Sequence, residues 1–216
     1  MGYLNPNFKS LARSHKTIAV IPVHTILTGR IPEKMTSVQK TEQELAESLA
    51  FQKSLYNNLL NNSGAGKKDI HITIQPIEKT LKILRDSGID LNMVYTIDPQ
   101  ALGRLLRVDA VVMSSVKKTR YLSDLESYGI SLGEDVIQII KSIPQIADLP
   151  ISDPTNGTQL SKTYDLDAES QLFNVADGNL LWKEIIQTGT DWNYPANQVI
   201  EGINRRFARK FPYRKK

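Results

Sequence analysis

The apolar positions of this chain change period several times. Two short β-branched runs, TIAVIPV at 17–23 and VDAVVMSSV at 108–116, are continuous, as in strands buried on both faces of a sheet. A further strand is expected at 69–76, around DIHITI. Between these runs the period lengthens. Leu45, Leu49, Tyr56 and Leu59 recur at helical spacing in TEQELAESLAFQKSLYNNLLNN, which gives one stripe to lay on the sheet. Thr41 and Glu44 have the spacing of a capping box and mark its start. EKTLKILRDSG offers a short helix. DPQALGRLLR offers another, with Asp98 as N-cap, Pro99 in the first turn, and Leu102, Leu105 and Leu106 on one face.

Elsewhere the period is absent or two. Residues 1–16 show no sustained pattern and are expected to be an N-terminal tether, and HTILTGRIPEKMTSVQK, punctuated by Gly29 and Pro32, a long loop. In ESQLFNVADGNLLWKEII the pair Asp177-Gly178 predicts a two-residue hairpin turn. That register sets Val175 opposite Leu180 and Phe173 opposite Trp182, with Trp182 in the core. A last helix from about Pro195 to before Pro212 turns Val199, Ile200, Ile203 and Phe207 inward. Residues 121–160 combine an amphipathic helix, GEDVIQIIKSI, with a Pro-rich stretch and are expected to be an insertion. The expected class is α/β: a mixed sheet flanked by helices, with a C-terminal antiparallel hairpin and a final helix, in a single domain over 17–216.

Composition narrows the functions. Of 216 residues 40% are hydrophobic and 23% charged, which is ordinary for a globular chain, and no apolar run approaches the ~18 residues of a membrane-spanning helix. The net charge of +4 is uneven: the last twelve residues, RRFARKFPYRKK, hold seven Lys or Arg and no acid, leaving about −3 for the remainder. There is no cysteine, so disulfides, thiolate catalysis and Cys-ligated zinc are excluded for this stretch of chain. Pro6 occupies the position where N-myristoylation needs Ser or Thr.

Several strings imitate catalytic motifs. NNSGAGKK contains Gly66-Lys67, but a phosphate loop needs Gly where Asn61 stands and Ser or Thr where Lys68 stands. It also runs from strand to helix, the reverse of the order expected here, so the stretch Gly64–Lys68 is expected to be a helix stop that binds no nucleotide. GISLG at 129–133 matches a nucleophile elbow around Ser131, yet His15, His24 and His71 all precede it, which defeats the usual triad order. Those three histidines lack the spacing of a metal set. Asp165, Asp167 and Glu169 alternate along a strand and would face one way, as paired acid–base carboxylates do or as the charged face of an edge strand does. These weighings give no catalytic residue, no metal and no cofactor. The residues expected to form a partner surface are Trp192 and Tyr194, before the last helix, with Arg205 and Arg209 on its outer side and Arg206 bordering its apolar face. Arg214, Lys215 and Lys216 are expected to trail beyond Pro212.

IAVIPV, LGRLLRVDAVVMSSV, LFNVADGNLLWKEII and FARKFPY resemble the corresponding stretches of a group of Gram-negative envelope lipoproteins. More distantly they are similar to the CsgG, LpoB and TolB N-terminal type of α/β domain. The resemblance runs over most of 17–213 without the insertion and implies no catalytic residue. It implies a non-enzymatic lipoprotein of the outer membrane facing the periplasm, tethered through an N-terminal lipidated Cys that would precede this chain. Its partners would be other envelope proteins in assembly, secretion or cell-wall processes, with homo-oligomerisation a further option and nucleic acid not expected. The insertion lacks the apolar–polar alternation of a pore hairpin. The alternative is a soluble domain binding nucleic acid or another polyanion through its basic tail, and the third reading a serine or carboxylate hydrolase.

Overall fold

The computed structural model describes residues 2–29, 36–66, 68–120, 164–189 and 196–214. Its strands are β1 (Tyr3–Leu4), β2 (Thr17–Val20), β3 (His24–Gly29), β4 (Thr73–Ile74), β5 (Ala110–Arg120), β6 (Tyr164–Asn174) and β7 (Leu180–Gly189). Its α-helices, among the described residues, are α1 (Phe8–Leu11), α2 (Ser37–Asn61), α3 (Ile77–Asp86), α4 (Pro99–Leu106) and α5 (Ala196–Lys210). One mixed sheet runs β1-β7-β6-β5-β2-β4, with β3 also paired to β5. The pairs of β2 with β4, β2 with β5 and β3 with β5 are parallel, and the others antiparallel. The expected α/β class, hairpin and final helix are all present.

β5 organises the sheet. One edge carries β6 along its whole length, and the other carries first β2 and then β3. Val20 lies opposite Val112 and His24 opposite Ser115, so the passage from β2 to β3 holds one residue more than β5 does. Pro22 falls in this bulge, where its missing N–H deprives the ladder of nothing. HTILTG is therefore a strand and not part of a loop: the long β5 supplies it with backbone partners, and Gly29 marks its end.

Continuous apolar runs become intelligible once both faces are covered. Ile18 and Val20 of β2, with Ala110 and Val112 of β5, pack under α2 and α5 against Leu49, Leu55, Leu59, Ile203 and Phe207. Ala19 of β2, with Val111 and Met113 of β5, packs on the other face against Leu84, Leu102 and Leu106. Gly103 lets α4 approach the hairpin, because a Cβ there would lie 1.9 Å from Cγ2 of Val175. Asp98 caps α4 as expected, accepting from the N–H of Ala101 at 2.9 Å.

Four local expectations are corrected. The capping box of α2 lies five residues earlier, with Thr36 accepting from the Gln39 N–H and Gln39 returning to the Thr36 N–H. Both pairs fit the motif; Glu44 is withdrawn from it because its carboxylate accepts from the N–H of Leu27 in β3. The expected tether at 1–16 is not free of the fold where it is described, from residue 2 on. β1 pairs with Trp182 and Lys183 of β7, and Phe8 is buried edge-on against Tyr213 at 5.2 Å. A two-residue strand and one aromatic anchor are too short to leave a period in the sequence.

The hairpin turn is longer than expected. Asn174 N–H donates to Asn179 O and Gly178 N–H to Asn174 O, so Val175–Gly178 form a four-residue loop. Gly178 has φ of +72°, whereas Asp177 does not enter the left-handed region that a two-residue turn requires. Instead its carboxylate accepts from the Asn179 N–H. The register shifts accordingly: Phe173 faces Leu180, Trp182 faces Leu172, and Leu181 is the extra residue of a bulge. Trp182 remains buried, at 4% exposure. Finally, the strand expected at 69–76 contracts to β4. Gln75 turns into the core, where it donates to Leu106 O and accepts from Thr80.

Candidate functional site

The most accessible chemistry lies where α5 meets the free side of β7. Residues facing the sheet on α5 are Ile200, Ile203 and Phe207, all buried, and this leaves Arg205, Arg206 and Arg209 exposed. Asn204 donates to Phe51 O, and Glu201 accepts from Ser54 and Asn58 of α2, so the helix is locked in rotation. Glu201 also lies 3.7 Å from Arg205. Among the described residues Arg206 and Arg209 have no carboxylate partner.

On β7, Glu184 is buried beside the Lys210 ammonium, which forms an ion pair with it. A cleft of about 320 Å³ opens here, lined by Glu184, Ile185, Ile186, Gln187, Arg206 and Lys210. β1 covers β7 only at Trp182 and Lys183, with Asn5 N–H continuing to Leu181 O at 2.9 Å. Backbone groups of alternate residues point to the same side of a strand. Those of Ile185 and Gln187 therefore point, like those of Lys183, away from β6, and among the described residues no strand pairs with them.

The other candidates occupy separate places. Trp192, Tyr194 and Ser131 lie outside the described residues, as do Lys67, Lys215, Lys216 and the 121–160 segment. At the Gly64–Lys68 turn the Gly66 N–H donates to Asp69, and the turn follows helix α2. Asp165 and Asp167 are exposed on β6, but β6 is an interior strand, so the edge-strand explanation is corrected. Asp167 instead stands across from Lys117, and Glu169 forms an ion pair with Lys183 at 2.7 Å, opposite charges that stabilise a strand junction. Arg214 does not trail into solvent: its guanidinium donates to Lys68 O, Asn62 and Ala208 O, fastening the chain end to the loop after α2.

Each histidine ring has its own partner. His24 stacks on Tyr95 at 4.8 Å, and His71 Nε2 donates to Gly66 O. Among the described residues no three His, Asp or Glu side chains gather as a cation cage. His15 lies 2.7 Å from the Tyr213 hydroxyl through Nδ1 and 3.2 Å from Asn174 Oδ1 through Nε2. Burial, reinforced by Asp109, pushes the Tyr213 pKa far up, so its hydroxyl keeps the proton and donates to Nδ1. Nε2 then carries the ring hydrogen and donates to Asn174.

Burial lowers the His15 pKa from its ordinary 6.5, against raising effects of Asn174, Asp109 and Asp177. The folded state thus favours neutral imidazole, and the unfolded chain binds the proton more readily. Stability should be complete above about pH 6.5 and fall as the pH drops through that value toward the lowered folded one. Denaturant unfolding between about pH 7.5 and pH 5 should show this slope in the wild type and a smaller one in His15→Gln. Equal slopes would remove His15 as the cause.

No protein-family model and no curated protein matches the chain. Solved structures similar to it include the LpoB C-terminal domain from Salmonella enterica, at TM-score 0.41 and 11% identity, covering 86% of this chain and 94% of that one. Lipoprotein GNA1162 from Neisseria meningitidis has TM-score 0.43 and 13% identity, with coverage of 89% and 98%. The PelC dodecamer from Paraburkholderia phytofirmans has TM-score 0.41 and 11% identity, with coverage of 97% and 94%. The LpoB type of domain and a Gram-negative lipoprotein, both named from the sequence strings, are among them.

Proposed function

We propose that this protein is a non-catalytic, periplasm-facing lipoprotein of a Gram-negative outer membrane that acts by binding other envelope proteins. The observation that carries the interaction role is the α5–β7 side: a cleft that presents Arg206 and Lys210 beside β7. The compartment rests on the resemblance of IAVIPV, LGRLLRVDAVVMSSV and LFNVADGNLLWKEII to envelope lipoproteins. Trp192 and Tyr194 belong to the proposed partner surface through their position between β7 and α5 in the chain.

Two measurements on the natural gene product test the two halves of this reading. Labelled palmitate should enter the protein and be lost when the Cys of its signal segment is replaced; an unlabelled product overturns the lipoprotein assignment. A photo-crosslinking residue at position 206 should give discrete adducts with envelope proteins in living cells, whereas one at the exposed Lys79 on α3 should not. Equal crosslinking at both positions defeats the choice of surface.

The exposure of Arg205, Arg206 and Arg209 on one helix favours a second reading, contact with an anionic surface. Each Arg near an anionic membrane contributes about 1 kcal/mol, an attraction that salt screens. The chain should therefore cosediment with anionic vesicles at low salt, less at high salt, and less still as the triple Arg205/Arg206/Arg209→Ala variant. Equal binding to neutral vesicles sinks this reading, and tight binding to duplex DNA in the same buffers promotes the polyanion alternative.

A further inference from the structure

We infer that the outward face of α5, carrying Arg205 and Arg209, is the side on which the lipid-anchored domain lies against its own membrane, with the anionic headgroups of that leaflet as the occupant of this face. The inference rests on the lipoprotein reading and adds to it how the anchored domain is turned.

The direction of β1 sets the side from which a tether arrives. β1 is antiparallel to β7, with Leu4 opposite Trp182 and Tyr3 opposite Lys183, so traced backwards the chain runs along β7 toward Ile185. Gly2 continues that line: a Cβ on it would collide with the Glu184 carboxylate and meet Lys183 O at 3.4 Å, so the backbone passes close over Glu184. That carboxylate is paired with Lys210 in the last turn of α5. Ile185, Ile186 and Gln187 share a cleft with Arg206, one helical turn before Lys210. A segment leading back from Gly2 to a lipidated Cys therefore leaves the fold along the flank of α5. Whether or not it pairs with β7 on the way, its membrane end arrives on this side.

The same side carries the cations. Ile200, Ile203 and Phe207 are buried, and Glu201 and Asn204 are bonded to α2, which fixes the helix in rotation. Gly202, Arg205 and Arg209 follow one another at helical spacing on the opposite side and are exposed. Glu201 stands 3.7 Å from Arg205 and offsets part of its charge, whereas Arg209 has no carboxylate partner among the described residues. The last twelve residues of the chain hold seven Lys or Arg and no acid while the remainder is net negative, so an anionic surface attracts this side and repels the rest.

A lipid and a basic patch are the two signals that together make a stable anchor. Once tethered, the domain needs no affinity of its own, only a bias between orientations. Two exposed cations at about five-fold each bias it about 25-fold at low salt.

The test replaces the lipid by a histidine tag placed ahead of Met1, which holds the chain on vesicles carrying a nickel-chelating lipid. The chain has no cysteine, so a fluorophore can be set at one site at a time, as Gly202→Cys on α5 or Lys79→Cys on α3. A Cβ at Gly202 meets nothing within 4 Å, and Lys79 is exposed, so neither substitution disturbs the core. A quencher carried on lipid headgroups then reports which site touches the membrane. On mixed phosphatidylglycerol and phosphatidylcholine vesicles at low salt the dye at 202 should be quenched strongly and the dye at 79 weakly. High salt, or vesicles of phosphatidylcholine alone, should bring the two together. Arg205/Arg209→Ala, with Arg206 of the cleft left in place, should remove the about 25-fold bias while the tag keeps the chain on the vesicle.

Equal quenching at 202 and 79 on the anionic vesicles, equally strong quenching at 202 on neutral ones, or quenching unchanged in Arg205/Arg209→Ala would overturn the inference. So would envelope-protein adducts from a photo-crosslinking residue at position 209 in cells when anionic vesicles give no contact at 202, because the face would then belong to a protein partner. Palmitate entering the natural gene product together with a negative vesicle result leaves the lipoprotein reading standing and sinks this orientation alone.

Discussion

Trp182→Ala is expected to lower the unfolding free energy by about 3–5 kcal/mol, the usual cost of emptying a large aromatic site in a core. Trp182 is 4% exposed, stands across from Leu172 on β6 and from Leu4 on β1, and meets the ring of Phe211 edge-on at 5.4 Å and 74°. Phe211 in turn packs on Tyr213, and Tyr213 on Phe8. Removing the indole therefore unsupports the seam where both chain ends join the sheet, and alanine cannot refill it. Denaturant unfolding followed by circular dichroism measures the loss. An unchanged midpoint would put the indole outside the core, free to stack on a ligand.

The second large effect is expected at a buried ion pair that was not anticipated. Lys118 Nζ sits 2.8 and 2.9 Å from the two carboxylate oxygens of Glu47, and Glu47 is only 1% exposed. Lys118→Ala leaves that carboxylate inside the protein with Gln43 as its remaining hydrogen-bond donor among the described residues. Breaking a buried pair from one side costs about 3–5 kcal/mol, because a charge stays desolvated without its counterion. The double variant Lys118→Met, Glu47→Leu removes both charges and should unfold close to wild type. A double variant as unstable as the single one would show that other contacts of these residues, and not the pairing, hold this corner. The pair is shielded from solvent, so its contribution should persist at high salt, unlike that of the exposed Lys82–Asp86 pair.

Glu47 and Lys118 show what pattern alone does not reveal. Along α2 Glu47 looks like one more polar position beside Leu45 and Leu49, and Lys118 like the fraying end of an apolar strand. Only the seating of α2 across β3 and β5 turns both inward. Glu44 and Leu27 are a similar case. The motif Thr-x-x-Glu is as good as Thr-x-x-Gln five residues earlier, and the choice between them is made by a strand N–H that claims the Glu44 carboxylate.

The partner surface divides in the same way. Helical periodicity placed Arg205 and Arg209 away from Ile203 and Phe207 and Arg206 at the border of that apolar face, and all three are exposed. The cleft beside Arg206 had no such signal, because it depends on Glu184, Ile186 and Gln187 of a strand more than fifteen positions upstream in the chain.

Local pattern by itself determined the α/β class, the buried strands around Val20 and Val112, the caps at Asp98 and Pro99 and the inward face of α5. Each of these is decided within one or two turns of chain, by side-chain period, backbone capping or motif chemistry. The tertiary structure alone decided that HTILTG is a strand, that Tyr3–Leu4 and Phe8 join the fold, and that β6 lies inside the sheet. These depend on which distant segment arrives alongside, and the hydrogen bonds and burial that settle them exist only after the chain has closed on itself.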